Sequence, residues 1–132
     1  MKKEFIPYEQ ALALKELGSD EPCFGSYVKL TETQNTFFMN DVVSEIDRET
    51  PLHESLITKA PTFSQAFRWF REKYDLIVII DITYINGRKW RYRIETPPRN
   101  FYGFESLKDG FDTHEESELA CLKKLIEIVK GG

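Results

Sequence analysis

Leu76-Ile77-Val78-Ile79-Ile80-Asp81-Ile82-Thr83-Tyr84-Ile85-Asn86-Gly87-Arg88-Lys89-Trp90-Arg91-Tyr92-Arg93-Ile94-Glu95-Thr96 reads as two strands about a turn, and its register decides which side chains are buried. Asn-Gly between such strands is the strongest short-range hairpin signal. A two-residue Asn86-Gly87 loop would pair Ile82 with Arg91 and Ile80 with Arg93, mixing cations into an aliphatic face. A three-residue loop, Ile85-Asn86-Gly87 with glycine in the left-handed position, pairs Val78 with Ile94, Ile80 with Tyr92 and Ile82 with Trp90. The opposite face then pairs Asp81 with Arg91 and Thr83 with Lys89. Only the second register keeps the cations off the face formed by Val78, Ile80 and Ile82, so it is the one expected.

Outward from the hairpin, three helix openings recur: Pro7-Tyr8-Glu9-Gln10-Ala11, Thr62-Phe63-Ser64-Gln65-Ala66 and Thr113-His114-Glu115-Glu116-Ser117. Pro7 suits a first turn because its missing N–H would have no intrahelical partner, and Gly18 can close a helix over residues 7–17. A strand fits residues 23–30, a polar turn residues 31–35, and a returning strand residues 36–39. Residues 40–59 include Pro51 and show no sustained period, which predicts a long loop. Thr62 with Gln65 forms a capping box, and Phe63, Ala66, Phe67, Phe70 and Tyr74 gather into one core stripe. Trp69 points roughly 120° away from that stripe.

After the hairpin come Pro97-Pro98 and an aromatic patch at Phe101, Tyr102 and Phe104, with room for one more short strand. Thr113 and Glu116 cap a last helix that ends at Gly131, and Leu119, Leu122, Leu125, Ile126, Ile128 and Val129 spread over a wide arc of it. The expectation is a single α+β domain over residues 1–132, of order α-β-β-α-β-β-α. Its mainly antiparallel sheet would have an apolar face covered by the helices.

The length of 132 residues suits one core, and the 41% apolar and 30% charged content is that of a soluble globular chain. The longest apolar run, residues 76–80, is far too short for a membrane span. No apolar stretch with a cleavage site follows the charged residues 1–4, so a cytoplasmic chain with Cys23 and Cys121 as reduced, apolar-packed thiols is expected. The net charge of −4 hides an asymmetry. Residues 60–104 hold 8 Lys and Arg against 4 Asp and Glu, a net +4 in a chain that is otherwise acidic.

No spacing names a chemistry. His53 falls in the expected loop and His114 in a helix's first turn, so both read as surface residues without a neighbouring nucleophile. Two distant cysteines do not make a zinc site, and Glu9, Glu16, Glu115, Glu116 and Glu118 fall where helices carry solvated acids. Neither enzyme activity nor a cofactor or metal is expected. Arg88, Lys89, Arg91 and Arg93 are the candidate nucleic-acid contacts, since phosphates attract cations. In the expected register, however, Trp90 and Tyr92 face the core, and the cations share a face with Asp81. A solvated, acid-paired face is therefore the preferred reading. Trp69, Phe101 and Tyr102 are the candidate protein-interface residues.

The strings Phe5-Ile6-Pro7-Tyr8-Glu9-Gln10-Ala11-Leu12-Ala13-Leu14-Lys15-Glu16-Leu17-Gly18, Ala60-Pro61-Thr62-Phe63-Ser64-Gln65-Ala66-Phe67-Arg68-Trp69-Phe70-Arg71-Glu72-Lys73-Tyr74 and Glu118-Leu119-Ala120-Cys121-Leu122-Lys123-Lys124-Leu125-Ile126-Glu127-Ile128-Val129-Lys130 resemble a family of small proteins from Bacteroides-type gut bacteria and their phages. The resemblance covers the three helices and leaves the strands unmatched. It implies a bacterial or phage origin, an intracellular setting and a place on mobile DNA, and it carries no activity or functional residue. Together these readings lead us to expect a non-catalytic intracellular binding module acting through a protein partner or as a homodimer. The alternative is a nucleic-acid-binding accessory protein using the basic middle segment. No membrane association is expected.

Overall fold

Helices alternate with antiparallel strands in the computed structural model, which describes residues 4–19, 23–31, 34–39, 56–84, 87–96, 100–102 and 110–131. Among them the elements are α1 (Tyr8–Glu16), β1 (Gly25–Lys29), β2 (Asn35–Met39), β3 (Ile57–Ala60), α2 (Phe63–Tyr74), β4 (Ile77–Thr83), β5 (Lys89–Thr96), β6 (Asn100–Tyr102) and α3 (His114–Gly131). This is an α+β fold in the α-β-β-α-β-β-α order, with one short strand added after each hairpin. The described strands form two antiparallel sheets, ordered β2-β1-β3 and β4-β5-β6. The chain divides into two compact units, Met1–Thr62 and Phe63–Gly132.

In the first unit α1 starts after Pro7 and closes with the two bonds of a Schellman motif. The Ser19 N–H donates to the Leu14 carbonyl at 3.0 Å, and the Gly18 N–H to that of Lys15 at 3.1 Å. β1 is the central strand, pairing with β2 on one side and β3 on the other. β3 corrects the expectation of a loop over residues 40–59: Ile57 to Ala60 form a strand, from Gly25 opposite Ala60 to Val28 opposite Ile57. Its buried positions are Thr58, which is polar, and Ala60, which is small, so they do not register as an apolar alternation. Residues 40–55 of that expected loop lie outside the described residues. The Tyr27 hydroxyl donates to the Ile6 carbonyl at 2.8 Å inside this unit, and burial pushes its pKa up.

In the second unit the hairpin takes the three-residue-loop register, with Val78 opposite Ile94, Ile80 opposite Tyr92, Ile82 opposite Trp90 and Asp81 opposite Arg91. Gly87 has φ of 89°, the left-handed conformation that closes such a loop. Tyr92 and Ile94 are buried, as are Phe70 of α2 and Cys121, Leu122 and Leu125 of α3. The helices thus cover the aliphatic face. α3 opens on its capping box, in which the Glu116 N–H donates to Thr113 Oγ1 at 3.1 Å and the Thr113 hydroxyl to Glu116 Oε1 at 3.2 Å. α2 ends at Asp75, whose φ of 57° is left-handed, a conformation that aspartate tolerates better than most residues.

The core stripe of α2 is corrected in one respect. Phe63, Ala66, Trp69 and Phe70 are its buried residues, while Phe67 and Tyr74 are only half-buried. At 100° per residue the buried arc is turned by roughly 50° from the expected stripe, towards Trp69. A broad apolar arc leaves its docking flank undecided, and here Phe67 borders open space next to α3. Phe70→Ala should therefore cost about 3–5 kcal/mol. Phe67→Ala should cost less than half as much, and urea unfolding of the two variants, read at equal m-values, checks the order.

Candidate functional site

The cations nominated from sequence sit on the charged face of the hairpin. Arg91 Nε donates to Asp81 Oδ1 at 2.6 Å and its Nη2 reaches Oδ2 at 3.4 Å, a cross-strand pair with both side chains about one-third exposed. Lys89 is paired with Asp112, and Arg93 Nη1 lies 4.0 Å from Glu95 Oε1. Arg88 is exposed beside the turn. Three of the four nominated cations thus face a carboxylate.

The nominated aromatics fall elsewhere. Trp69 is 7% exposed, with its ring edge-on to Phe70 at 5.0 Å and to Tyr74 at 5.5 Å, and Lys73 Nζ lies 5.4 Å above it. So enclosed a ring offers a partner little area. Phe101 and Tyr102 belong to β6, where they pair with Glu95 and Ile94 of β5.

The other edge of this sheet is β4, and the direction of its backbone groups follows from one bridge. Trp90 exchanges two hydrogen bonds with Phe111, of 2.8 Å and 2.7 Å, on the side of β5 away from β4. Trp90 and Ile82 are therefore a non-hydrogen-bonded pair, and by alternation so are Tyr92 with Ile80 and Ile94 with Val78. The N–H and C=O groups of Val78, Ile80 and Ile82 point away from β5, to an edge where no described strand pairs with them. The strand Ile-Val-Ile-Ile-Asp-Ile-Thr carries no lysine or proline, and its one charge is held by Arg91. The sequence identifies this segment as a strand, but an edge is a property of sheet order, which the sequence does not state.

The bridge also positions the start of α3. Gly110 precedes it at φ 75°, where an added Cβ would lie 2.8 Å from the Trp90 carbonyl oxygen, so only glycine fits this approach. His114 then meets Trp90 edge-on at 4.8 Å between ring centres, and its Nδ1 lies 3.3 Å from Glu118 Oε1. His114 is thus half-buried and engaged, not the isolated surface residue expected from its sequence neighbours. With Ser64, Phe67 and Arg71 of α2 and Val78 and Ile80 of β4, the pair lines a cleft of about 370 Å³. Burial pushes the Glu118 carboxyl up from its ordinary pKa, and the neighbouring His114 partly offsets this. Burial, with the charge of Glu118, also raises the Cys121 thiol far above the usual cysteine range. Among the described residues no three His, Cys, Asp or Glu side chains group to hold a metal ion. No described helix is long and apolar enough to cross a membrane.

A scan of protein-family models and searches of curated proteins and of solved structures return no match to this chain.

A carboxyl whose folded pKa is raised adds stability at low pH and loses it as pH rises through the folded pKa. Glu118→Gln should therefore gain on the native chain as pH goes from about 4 to about 7, seen as a Tm difference that climbs with pH. A flat difference would mean that the His114 pairing cancels the burial cost. For the thiols, Cys121 is fully buried and protonated, so in the native protein a thiol-specific reagent should label the half-exposed Cys23 first. Cys121 should react only on unfolding, which a stopped-flow titration with and without denaturant separates.

Proposed function

We propose that the chain is a non-catalytic protein-binding module whose partner adds a strand to the edge of β4 that no described strand pairs, with a second copy of the chain as the partner that edge fits. The carrying observation is the row of outward backbone groups on Val78, Ile80 and Ile82. Unpaired strand edges are templates for another strand, and this one has no lysine or proline to block it and a single charge, Asp81, that is paired with Arg91. It also matches itself. Antiparallel pairing about Ile79 or Ile80 sets β-branched residues opposite one another on one face and keeps each Asp81 opposite an isoleucine of the other copy.

The non-catalytic part of this reading draws on Cys121, whose buried, protonated thiol is not a competent nucleophile. The nucleic-acid alternative is weaker, because phosphate would have to compete with Asp81, Asp112 and Glu95 for the hairpin's cations. A reducing cytoplasmic setting, and the origin in Bacteroides-type bacteria or phages suggested by the helix strings, belong to the same proposal.

The test uses Ile79→Glu. Within one chain the new carboxylate lies opposite Arg93, whereas between copies it meets either itself or Asp81. The native chain should dimerise at concentrations on the order of tens of micromolar by size-exclusion chromatography with light scattering. The variant should stay monomeric with an equal or higher Tm. A native chain that remains monomeric at several hundred micromolar, roughly a tenfold excess, overturns the homodimer.

A further inference from the structure

The cleft in the second unit combines features that the edge of β4 does not use. Its floor is apolar, made by Val78 and Ile80 of β4 and Phe67 of α2. Its polar groups come from both helices: Ser64 and Arg71 from α2, His114 and Glu118 from α3. The volume of about 370 Å³ lies at the small end of the range of small-molecule sites, but the lining is more polar than apolar, with the apolar surface confined to Phe67, Val78 and Ile80.

The polar groups are unequally committed. Glu118 is engaged by His114 Nδ1 at 3.3 Å, and its side chain is only 18% exposed. That bond occupies one ring nitrogen of His114 and leaves Nε2 to serve a ligand. Arg71 differs from the hairpin cations, because among the described residues no carboxylate lies within ion-pair distance of its guanidinium. Ser64 is exposed and adds a hydroxyl that can donate or accept. Ser64 and His114 lie in the first turns of their helices, so the positive ends of two helix dipoles also border the cleft.

From this arrangement we infer that the cleft binds a small monocarboxylate with a compact apolar body, its carboxylate on Arg71 and its body against Phe67, Val78 and Ile80. The guanidinium fork matches a carboxylate in shape and charge. Glu118 decides between anions. A phosphate dianion would bring two charges near this poorly solvated carboxylate, whereas a carboxylate brings one and places apolar atoms over the floor. A cationic ligand would meet Arg71.

The inference is independent of strand addition, since it concerns side chains on the helix face of β4 and not the backbone at its edge. Benzoate, benzamide and inorganic phosphate, titrated into the isotope-labelled native chain and followed by amide NMR, test it. Benzoate should bind saturably with millimolar affinity, shifting Ser64, Phe67, Arg71, Val78, Ile80 and His114 together. Benzamide, which keeps the ring and loses the charge, should bind about tenfold more weakly, and phosphate should not shift this set. Arg71→Gln, an exposed substitution that should leave the fold intact, should weaken benzoate about tenfold and leave benzamide unchanged. Equal binding of benzoate and benzamide, an Arg71→Gln variant with undiminished benzoate affinity, or benzoate shifts that do not saturate would each overturn the site. Shifts centred on phosphate would replace it with an anion patch. The Ile79→Glu variant run through the same titration separates the two readings, because it should lose dimerisation and keep benzoate.

Discussion

The arrangement of the second unit depends on keeping the guanidinium groups of Arg91 and Arg93 out of the face that meets the helices. Slipping the hairpin by one residue would carry both into contact with Phe70, Leu122 and Leu125, at a desolvation cost of several kcal/mol per ion. The observed register, with Asp81 opposite Arg91 and Ile82 opposite Trp90, avoids this, and Gly87 beside the turn is left-handed. Other features follow in order. Trp90 of β5 falls at a position not hydrogen-bonded to β4, so its backbone is turned to bridge Phe111. The bridge brings the chain to the Thr113 cap and sets His114 against the Trp90 ring. The outward backbone of β4 and the position of the His114–Glu118 pair are therefore both consequences of the register.

Charge count and charge availability separate in the basic middle segment. Arg91 and Lys89 face carboxylates across or beside the hairpin, whereas Arg71 shares its cleft with Glu118 but has no carboxylate within ion-pair distance among the described residues. An exposed cross-strand pair such as Asp81–Arg91 contributes about 0.2–1 kcal/mol, so its value lies more in fixing register than in holding the unit together. The apolar contacts of Phe70, Ile94, Leu122 and Leu125 carry the stability, as burial of large side chains usually does.

What could be read from the sequence was what local spacing encodes. The register was legible because charged and apolar residues alternate with period two along β5 and Asp81 marks the matching face of β4, and the α3 cap because Thr113 and Glu116 have the spacing of a capping box. β3 was not legible, because of its two buried residues Thr58 is polar and Ala60 is small. The buried flank of α2 was not legible either: five aromatic residues within twelve make an arc wider than any one contact, and the choice of Trp69 over Phe67 is made by tertiary packing. Ser64 and His114 are fifty positions apart in the chain, and only the docking of α2 and α3 over β4 brings them to one cleft. No local pattern signals such a meeting.

β4 carries both features at once, and this constrains how they can act. The side chains of Val78 and Ile80 form the floor of the cleft while their backbone groups lie at the sheet edge. Because pleating sends side chains and in-plane backbone groups in perpendicular directions, occupying one does not block the other. The same residues are nevertheless ordered by either event. A strand that pairs with β4 restrains the floor, and a ligand packed on the floor restrains the edge. Any effect of one on the affinity of the other must then be equal in both directions, since coupling between two binding equilibria is reciprocal. The magnitude is limited by how much β4 moves when unpaired. A seven-residue strand already paired along one side has little entropy left to lose, so the coupling should be small and the two surfaces nearly independent.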